Sequence, residues 1–478
     1  MPFRNLLTIL AAAFISILCY QKAEWNKYAG TMSRALKLVE VHALEPVPSR
    51  QLFDGAMDGM MKQLDDPYSG YLTQDKKREI DESLEQKFAG IGVVVGKDTK
   101  TKRLAVMMPL NGTPAFKAGL RAGDAITAID GTPTDGLTVR DAQKLIRGKE
   151  GTTVQLLVQK VGESQPRPLA LMRAMIPMES VLGDVRREDG TWDFRLAENP
   201  RLGFVRIVTF GERTVDELKA ALDTLRGQTD GVIIDLRDNA GGLLTMAVGA
   251  CDLFLESGTI VSTRGRNGVF GRDDREFNAR PEVALDPAVP IVILSNRFSA
   301  SASEIVAACL QDHQRAIVVG QRSWGKGTVQ NIIELEGGRS ALKLTTASYW
   351  RPSGKNIHRT KKASDSDEWG VRPDDGYEVL VPDEELKKVY RYRRWRDIFH
   401  PAGIAGPPTP NGIVAPKTDE PTDQEKPSDD TKTDASAASD DDSEDLAKPP
   451  EAVDDPQLRK AIEYLNQRTT AKSKSGQS

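Results

Sequence analysis

The chain has 478 residues, enough for two or three domains with a sizeable core. Its formal charge of −4 is uneven: residues 417–455 carry −11, so the rest carries +7 with no long basic run, which argues against nucleic acid as a partner. Three scattered cysteines, Cys19, Cys251 and Cys309, are too few for a disulfide framework or a zinc site, and no cofactor is expected.

Met1-Pro-Phe-Arg4 precedes an apolar stretch from Leu6 to Tyr20, the pattern of an export signal. The stretch is short for a spanning helix, which needs roughly 20 residues. No clear small-x-small cleavage site follows, which favours an uncleaved anchor over residues 1–24 and membrane contact on the exported side. Residues 25–74 read as a helical segment. Pro46-Val-Pro48 separates two helical patterns, the second over Leu52–Leu64, and Asp65–Tyr71 closes the unit.

Residues 75–175 read as a compact β-rich domain. Phe88–Val95 is a glycine turn feeding a strand, and Ala105–Met108 and Asp124–Gly131 supply two more. Pro114–Leu120 and Val139–Arg147 are short helices, and Val154–Val158 is a final strand. From residue 176 to 401 strands alternate with helices. The strands are Leu202–Val208, Gly231–Arg237, Val289–Leu294 and Ile317–Val319; the helices are Thr214–Leu225, Leu243–Phe254 and one from Ile305. Such alternation indicates a mainly parallel α/β core. Residues 402–453 are rich in Pro, Asp, Ser, Thr and Lys and read as a disordered acidic linker. A helix with Pro456 in its first turn then occupies residues 454–470.

Two turns in the core carry candidate chemistry. Ser299-Ala-Ser-Ala-Ser-Glu304 lies between an apolar strand and a helix, so the Ser301 hydroxyl falls at a helix N-terminus. Ser301-x-x-Glu304 also fits a capping box, and on these residues alone a cap is a better reading than a nucleophile, since caps are so common. The second turn is Gly325-Lys326-Gly327. It departs from a phosphate loop because Gly327 stands where Ser or Thr would hold magnesium. The histidines are His42, His313, His358 and His400. His313 lies too far along the helix to reach Ser301, and a lysine can serve as a base where burial lowers its pKa.

These motifs resemble the C-terminal processing peptidases (tail-specific proteases). The Ser299–Glu304 turn, the Gly325–Gly327 turn and Gln330 agree with that family in order and spacing, and the resemblance spans about Trp25 to Pro401. It implies a crotonase-like core with Ser301 as nucleophile, Lys326 as general base and Gln330 orienting the lysine amine. It implies an oxyanion hole from Gly241 or Gly242 with the N–H of Ala302, and here Ala240 stands where the family has Pro. Residues 75–175 resemble a PDZ domain. By that resemblance Gly90, Ile91, Gly92 and Val93 receive the C-terminal tail of a protein substrate, with Ala89 in place of a family glycine. A PDZ scaffold that cuts nothing and an acyl-CoA enzyme on a related core are the alternatives. The intact Ser301, Lys326 and Gln330 argue against the first, and the tail-binding domain against the second.

Overall fold

The computed structural model describes residues 10, 12–16, 27–98, 101–187, 190–266, 274–397 and 453–475. Most of the expected anchor, nearly all of the acidic linker and His400 therefore lie outside the described residues. No helix among the described residues is long and apolar enough to cross a membrane. The chain forms two compact units, Met1–Lys77 with Asn331–Leu344, and Arg78–Gln330 with Thr345–Ser478.

In the first unit, Pro48 occupies the N-cap of the helix Ser49–Lys62 in extended conformation, which separates it from the helix Lys27–His42. Strand Gly70–Leu72 pairs antiparallel with Ala341–Lys343. The Arg50 guanidinium donates to the Tyr71 hydroxyl at 2.8 Å and to Glu336 at 2.9 Å, fastening the second helix to this pairing.

In the second unit, residues 93–172 form an antiparallel sheet. Its strand order is Val93–Lys97, Leu104–Pro109, Ala125–Ile129, Thr153–Gln159 and Arg167–Met172. Ile91, Val106, Ile126, Ile129, Ala142 and Val154 are completely buried beneath it. The glycine turn expected within Phe88–Val95 falls at Ile91-Gly92: Lys87–Gly90 before it pairs with Ala174–Pro177, and Val93–Lys97 after it pairs with Leu104–Pro109. One expectation changes here: Val154–Val158 is not the last strand, because Arg167–Met172 folds back on it. Val93–Lys97 is an edge strand, with a ladder partner on one side only among the described residues.

A second sheet joins Asn199–Ile207, Gly231–Asp235, Ile291–Ser295 and Ala316–Gly320 in parallel. Side chains alternate across it. Val232, Ile234, Ile291 and Ile293 face the cluster formed with helices Thr214–Leu225, Leu244–Asp252 and Ala302–Asp312. Ile233, Val292 and Leu294 face a cluster built with helices Asp383–Asp397 and Pro456–Ser475. Burial on both faces explains why these strands read as unbroken apolar runs. The C-terminal helix is held by a buried ion cluster, with Arg237 donating to Asp455 at 2.7 Å, to Asp235 at 2.8 Å and to Gln457 at 3.1 Å.

Candidate active site

The strand Ile291–Ser295 delivers a tight turn, and the helix Ala302–Asp312 starts at its end. The small residues of the turn let it press against the loop after strand Gly231–Asp235. The Ser299 hydroxyl donates to Leu236 O at 2.8 Å, Ala300 N–H to Asn239 O at 2.9 Å, and the Ser303 hydroxyl to Asn239 O at 2.8 Å. Ser301 sits at the helix N-cap with φ 56° and ψ −113°, a backbone conformation an L-residue rarely adopts. Such strain is retained where surrounding contacts over-determine it, here on a buried hydroxyl.

Those contacts centre on Glu304, which is fully buried. Its carboxylate accepts Ser301 N–H at 2.8 Å, the Ser323 hydroxyl at 2.6 Å, Gly325 N–H at 2.6 Å and Lys326 N–H at 2.8 Å. Burial pushes the Glu304 carboxyl up, and these four donors pull it back. The glycines flanking Lys326 are needed for close approach: a Cβ at Gly327 would stand 2.2 Å from His358 N, and one at Gly325 2.7 Å from Arg359 Cβ. Trp324, two residues before Lys326, donates its N–H to Ser299 O at 3.0 Å and leaves its indole half exposed. The Gln330 amide donates to Thr328 Oγ1 at 2.9 Å and Thr345 Oγ1 at 3.2 Å.

The loop Asp238–Gly242 runs beside Ser301. A Cβ at Gly241 would lie 2.8 Å from Ser301 Cβ and 3.0 Å from Ala302 N. The Gly241 N–H, a candidate oxyanion donor, is turned instead to Asn239 Oδ1 at 2.8 Å. Among the described residues the Gly242 N–H makes no hydrogen bond within the protein, and neighbouring Leu243 N–H is the one that bonds Phe210 O, at 2.7 Å. Asp238, at φ 60°, exchanges hydrogen bonds with Asn296 at 2.9 and 3.0 Å, and burial pushes its carboxyl up to about 6.

The sequence motifs left three participants unassigned. Asn239 orients the glycine loop. Glu304 spans both turns, where its spacing announced only a cap. The Tyr349 ring packs in the same cluster as Ala302 and Ile305, and its backbone N–H donates to Gly327 O at 2.8 Å. Of the histidines, His313 places Nε2 on Thr259 O at 2.7 Å, at the far end of the helix from Ser301. His358 lies with its backbone against Gly327.

In the β-rich domain, Gly90 pairs with Ala174, and the Ile91 side chain is in the core. Ile91 O accepts Ala115 N–H and Gly92 O accepts Leu110 N–H, both at 2.8 Å, while Val93 opens the edge strand. Among the described residues, no group of three or more His, Cys, Asp or Glu side chains could hold a metal ion.

Residues 201–375 match peptidase family S41, residues 79–159 a PDZ domain, and residues 19–76 the N-terminal domain of the activating protease CtpB. The carboxy-terminal-processing protease of Bartonella bacilliformis is 37% identical over 354 residues, covering 71% of this chain and 75% of that protein. The carboxyl-terminal-processing protease of Synechocystis sp. is 33% identical over 339 residues, covering 71% of this chain and 74% of its own. A solved photosystem II D1 C-terminal processing protease aligns over 73% of this chain and 86% of its own, with TM-score 0.39 and 29% identity. A PDZ domain joined to a peptidase domain defines a class of serine proteases. The chain belongs to that class as a member of the carboxy-terminal processing protease family, within peptidase family S41.

Proposed function

We propose that this protein is an exported serine endopeptidase that takes the C-terminal tails of protein substrates on its PDZ domain and cleaves them through an acyl-enzyme. On this reading the core over residues 176–401 is crotonase-like, Ser301 is the nucleophile, Lys326 the base, and Gln330 orients the lysine amine. A free tail adds as a strand beside Val93–Lys97, and the Gly90–Gly92 turn offers backbone N–H groups to its carboxylate. The Ile91 side chain takes no part, since it is core.

The chemistry runs in two halves. The neutral Lys326 amine takes the proton from Ser301 Oγ as Oγ attacks the peptide carbonyl. The N–H groups of Gly242 and Ala302 stabilise the oxyanion. The lysine ammonium returns its proton to the leaving amine, and the acyl-enzyme forms. Lys326 then takes a proton from a water as it attacks the ester, and returns that proton to Ser301 Oγ as the ester bond breaks and the acid product leaves.

The observation that carries this reading is the buried Glu304 carboxylate. It binds the N–H of the proposed nucleophile and the N–H of the proposed base, so one rigid group sets the spacing of both. A protein that only bound tails would have no need for a strained serine fixed to a glycine-bracketed lysine. The test is labelling with a fluorophosphonate probe beside digestion of casein. The parent should react and digest, and a folded Ser301→Ala variant should do neither. A folded Ser301→Ala variant that still digests casein would overturn the assignment.

A further inference from the structure

Gln86 stands immediately before the strand Lys87–Gly90, where the chain enters the PDZ domain, and it is completely buried. Its φ is 53°, a left-handed conformation that strains a residue bearing a side chain. Such strain persists only where the surroundings over-determine it. Here Gln86 Oε1 accepts Arg213 N–H at 2.6 Å, Nε2 donates to Met178 O at 3.3 Å, and Gln86 O accepts Met178 N–H at 2.8 Å. Two residues earlier, Leu84 O accepts Glu212 N–H at 2.9 Å. Gly211 makes the room: a Cβ there would stand 2.3 Å from Gln86 Cγ. A strained glutamine and a glycine that admits it thus fix the segment Phe210–Arg213, which leads into the helix Thr214–Leu225.

The same segment holds the glycine loop of the catalytic core. Phe210 N–H donates to Gly241 O at 3.0 Å, and Phe210 O accepts Leu243 N–H at 2.7 Å. Gly241 C=O and Gly242 N–H belong to one planar trans peptide, so they point in opposite directions. With its oxygen tied to Phe210, that peptide turns the Gly242 N–H away from Phe210. The Gly241 end of the peptide lies against Ser301, where a Cβ on Gly241 would be 2.8 Å from Ser301 Cβ. The aim of the Gly242 N–H is therefore set by where Phe210 stands, and Phe210 adjoins the Gln86–Gly211 contact.

We propose that Gln86 is a positioning residue for peptide hydrolysis: its side chain fixes the segment Phe210–Arg213, and through Phe210 it aims the Gly242 N–H at the oxyanion of the tetrahedral intermediate. This rests on the reading of Gly242 as an oxyanion donor. Gln86 touches no reacting atom and exchanges no proton. A hydrogen bond weakens steeply as its donor turns out of line. A small displacement of Phe210 therefore weakens the hold on the developing charge and leaves substrate binding in place, which lowers kcat rather than raising KM.

The experiment is Gln86→Met and Gln86→Glu in the full chain. Methionine is unbranched, fills a similar space and offers the Arg213 N–H no good acceptor, whereas glutamate keeps that acceptor. Because Gln86 adjoins the PDZ domain, the substrate is a short peptide with an amidated C-terminus, which gives that domain no carboxylate to bind. The kcat, the KM and the affinity of a peptide boronic acid are measured beside the parent and Gly242→Ala, per active site titrated with a fluorophosphonate probe. The boronic acid forms a tetrahedral adduct on the serine with an oxygen in the oxyanion hole, so it reports the hole rather than the stability of the fold. Gln86→Met should lose roughly 10- to 100-fold in kcat with KM unchanged, and a similar factor in boronate affinity. Gln86→Glu should recover most of both. A parental kcat in Gln86→Met, a rise in KM alone, or a fall in kcat with boronate affinity unchanged would overturn the proposal. Failure of the underlying reading is distinguishable, because Gly242→Ala would then cleave the peptide and bind the boronate as the parent does, whatever Gln86→Met does.

Discussion

Glu304 and Lys326 are joined by a 2.8 Å hydrogen bond from the lysine N–H to a carboxylate that lies 22 residues earlier and accepts Ser301 N–H at the same distance. The relationship makes Glu304 the common support of two turns. Glu304→Ala would leave four donors buried without an acceptor, and each such group costs on the order of 1–3 kcal/mol. The expected loss is about 3–5 kcal/mol after relaxation, with activity abolished. Glu304→Gln keeps the shape but turns an amide N–H₂ towards N–H donors, so it should lose less stability and still most of its turnover. Chemical denaturation and peptide cleavage of the two variants check this; a Glu304→Gln enzyme with parental kcat would contradict it.

The Asp238 carboxyl gives a pH dependence with a definite sign. Its folded value of about 6 lies above the ordinary 3.8. The folded state therefore prefers the protonated acid, and the stability this group contributes is full below about pH 4 and lost as pH rises through about 6. Asp238→Asn removes that loss. Asn tolerates φ 60° and can still accept from Asn296. The variant should match the parent at pH 4 and exceed it above pH 6 by on the order of 1 kcal/mol. Urea denaturation at the two pH values measures the difference, and a variant equally or less stable at pH 7 would refute the assignment.

Gly242 is held at φ 146°, and a Cβ there would stand 2.2 Å from Phe210 O. Gly242→Ala must shift the loop that presents the proposed oxyanion donor. The expected effect is a loss of kcat of roughly 100-fold or more, as for removal of a preorganised donor, with a smaller change in KM. Single-turnover kinetics would locate the loss in acylation. Parental acylation by this variant would remove Gly242 from the oxyanion hole.

Much of this was open to reading in the sequence, for physical reasons. Gly231–Asp235 and Ile291–Ser295 are buried on both faces, so they appear as apolar runs bounded by small-residue turns. The helix Asp383–Asp397 gave no such signal. Its buried face includes Arg393, which is fully buried and bonded to Gly183 O at 2.6 Å and Asp184 at 3.2 Å, so a charged residue does the packing of an apolar one. Ser301-x-x-Glu304 announced the hydrogen bond to Ser301 N–H, which is local. Nothing local announced that the same carboxylate reaches Gly325 and Lys326. The aim of the Gly241 N–H was equally hidden, because it depends on Asn239 and on the backbone path rather than on the glycine itself.

The central claim is that Lys326 accepts the Ser301 proton. Arginine keeps the charge and most of the length of lysine but does not give up its proton in proteins. The direct measurement is peptidase turnover of Lys326→Arg beside Ser301→Ala, with circular dichroism melting of both. A Ser–Lys enzyme predicts that Lys326→Arg melts close to the parent and turns over no faster than Ser301→Ala. Substantial turnover by a folded Lys326→Arg enzyme would contradict the account.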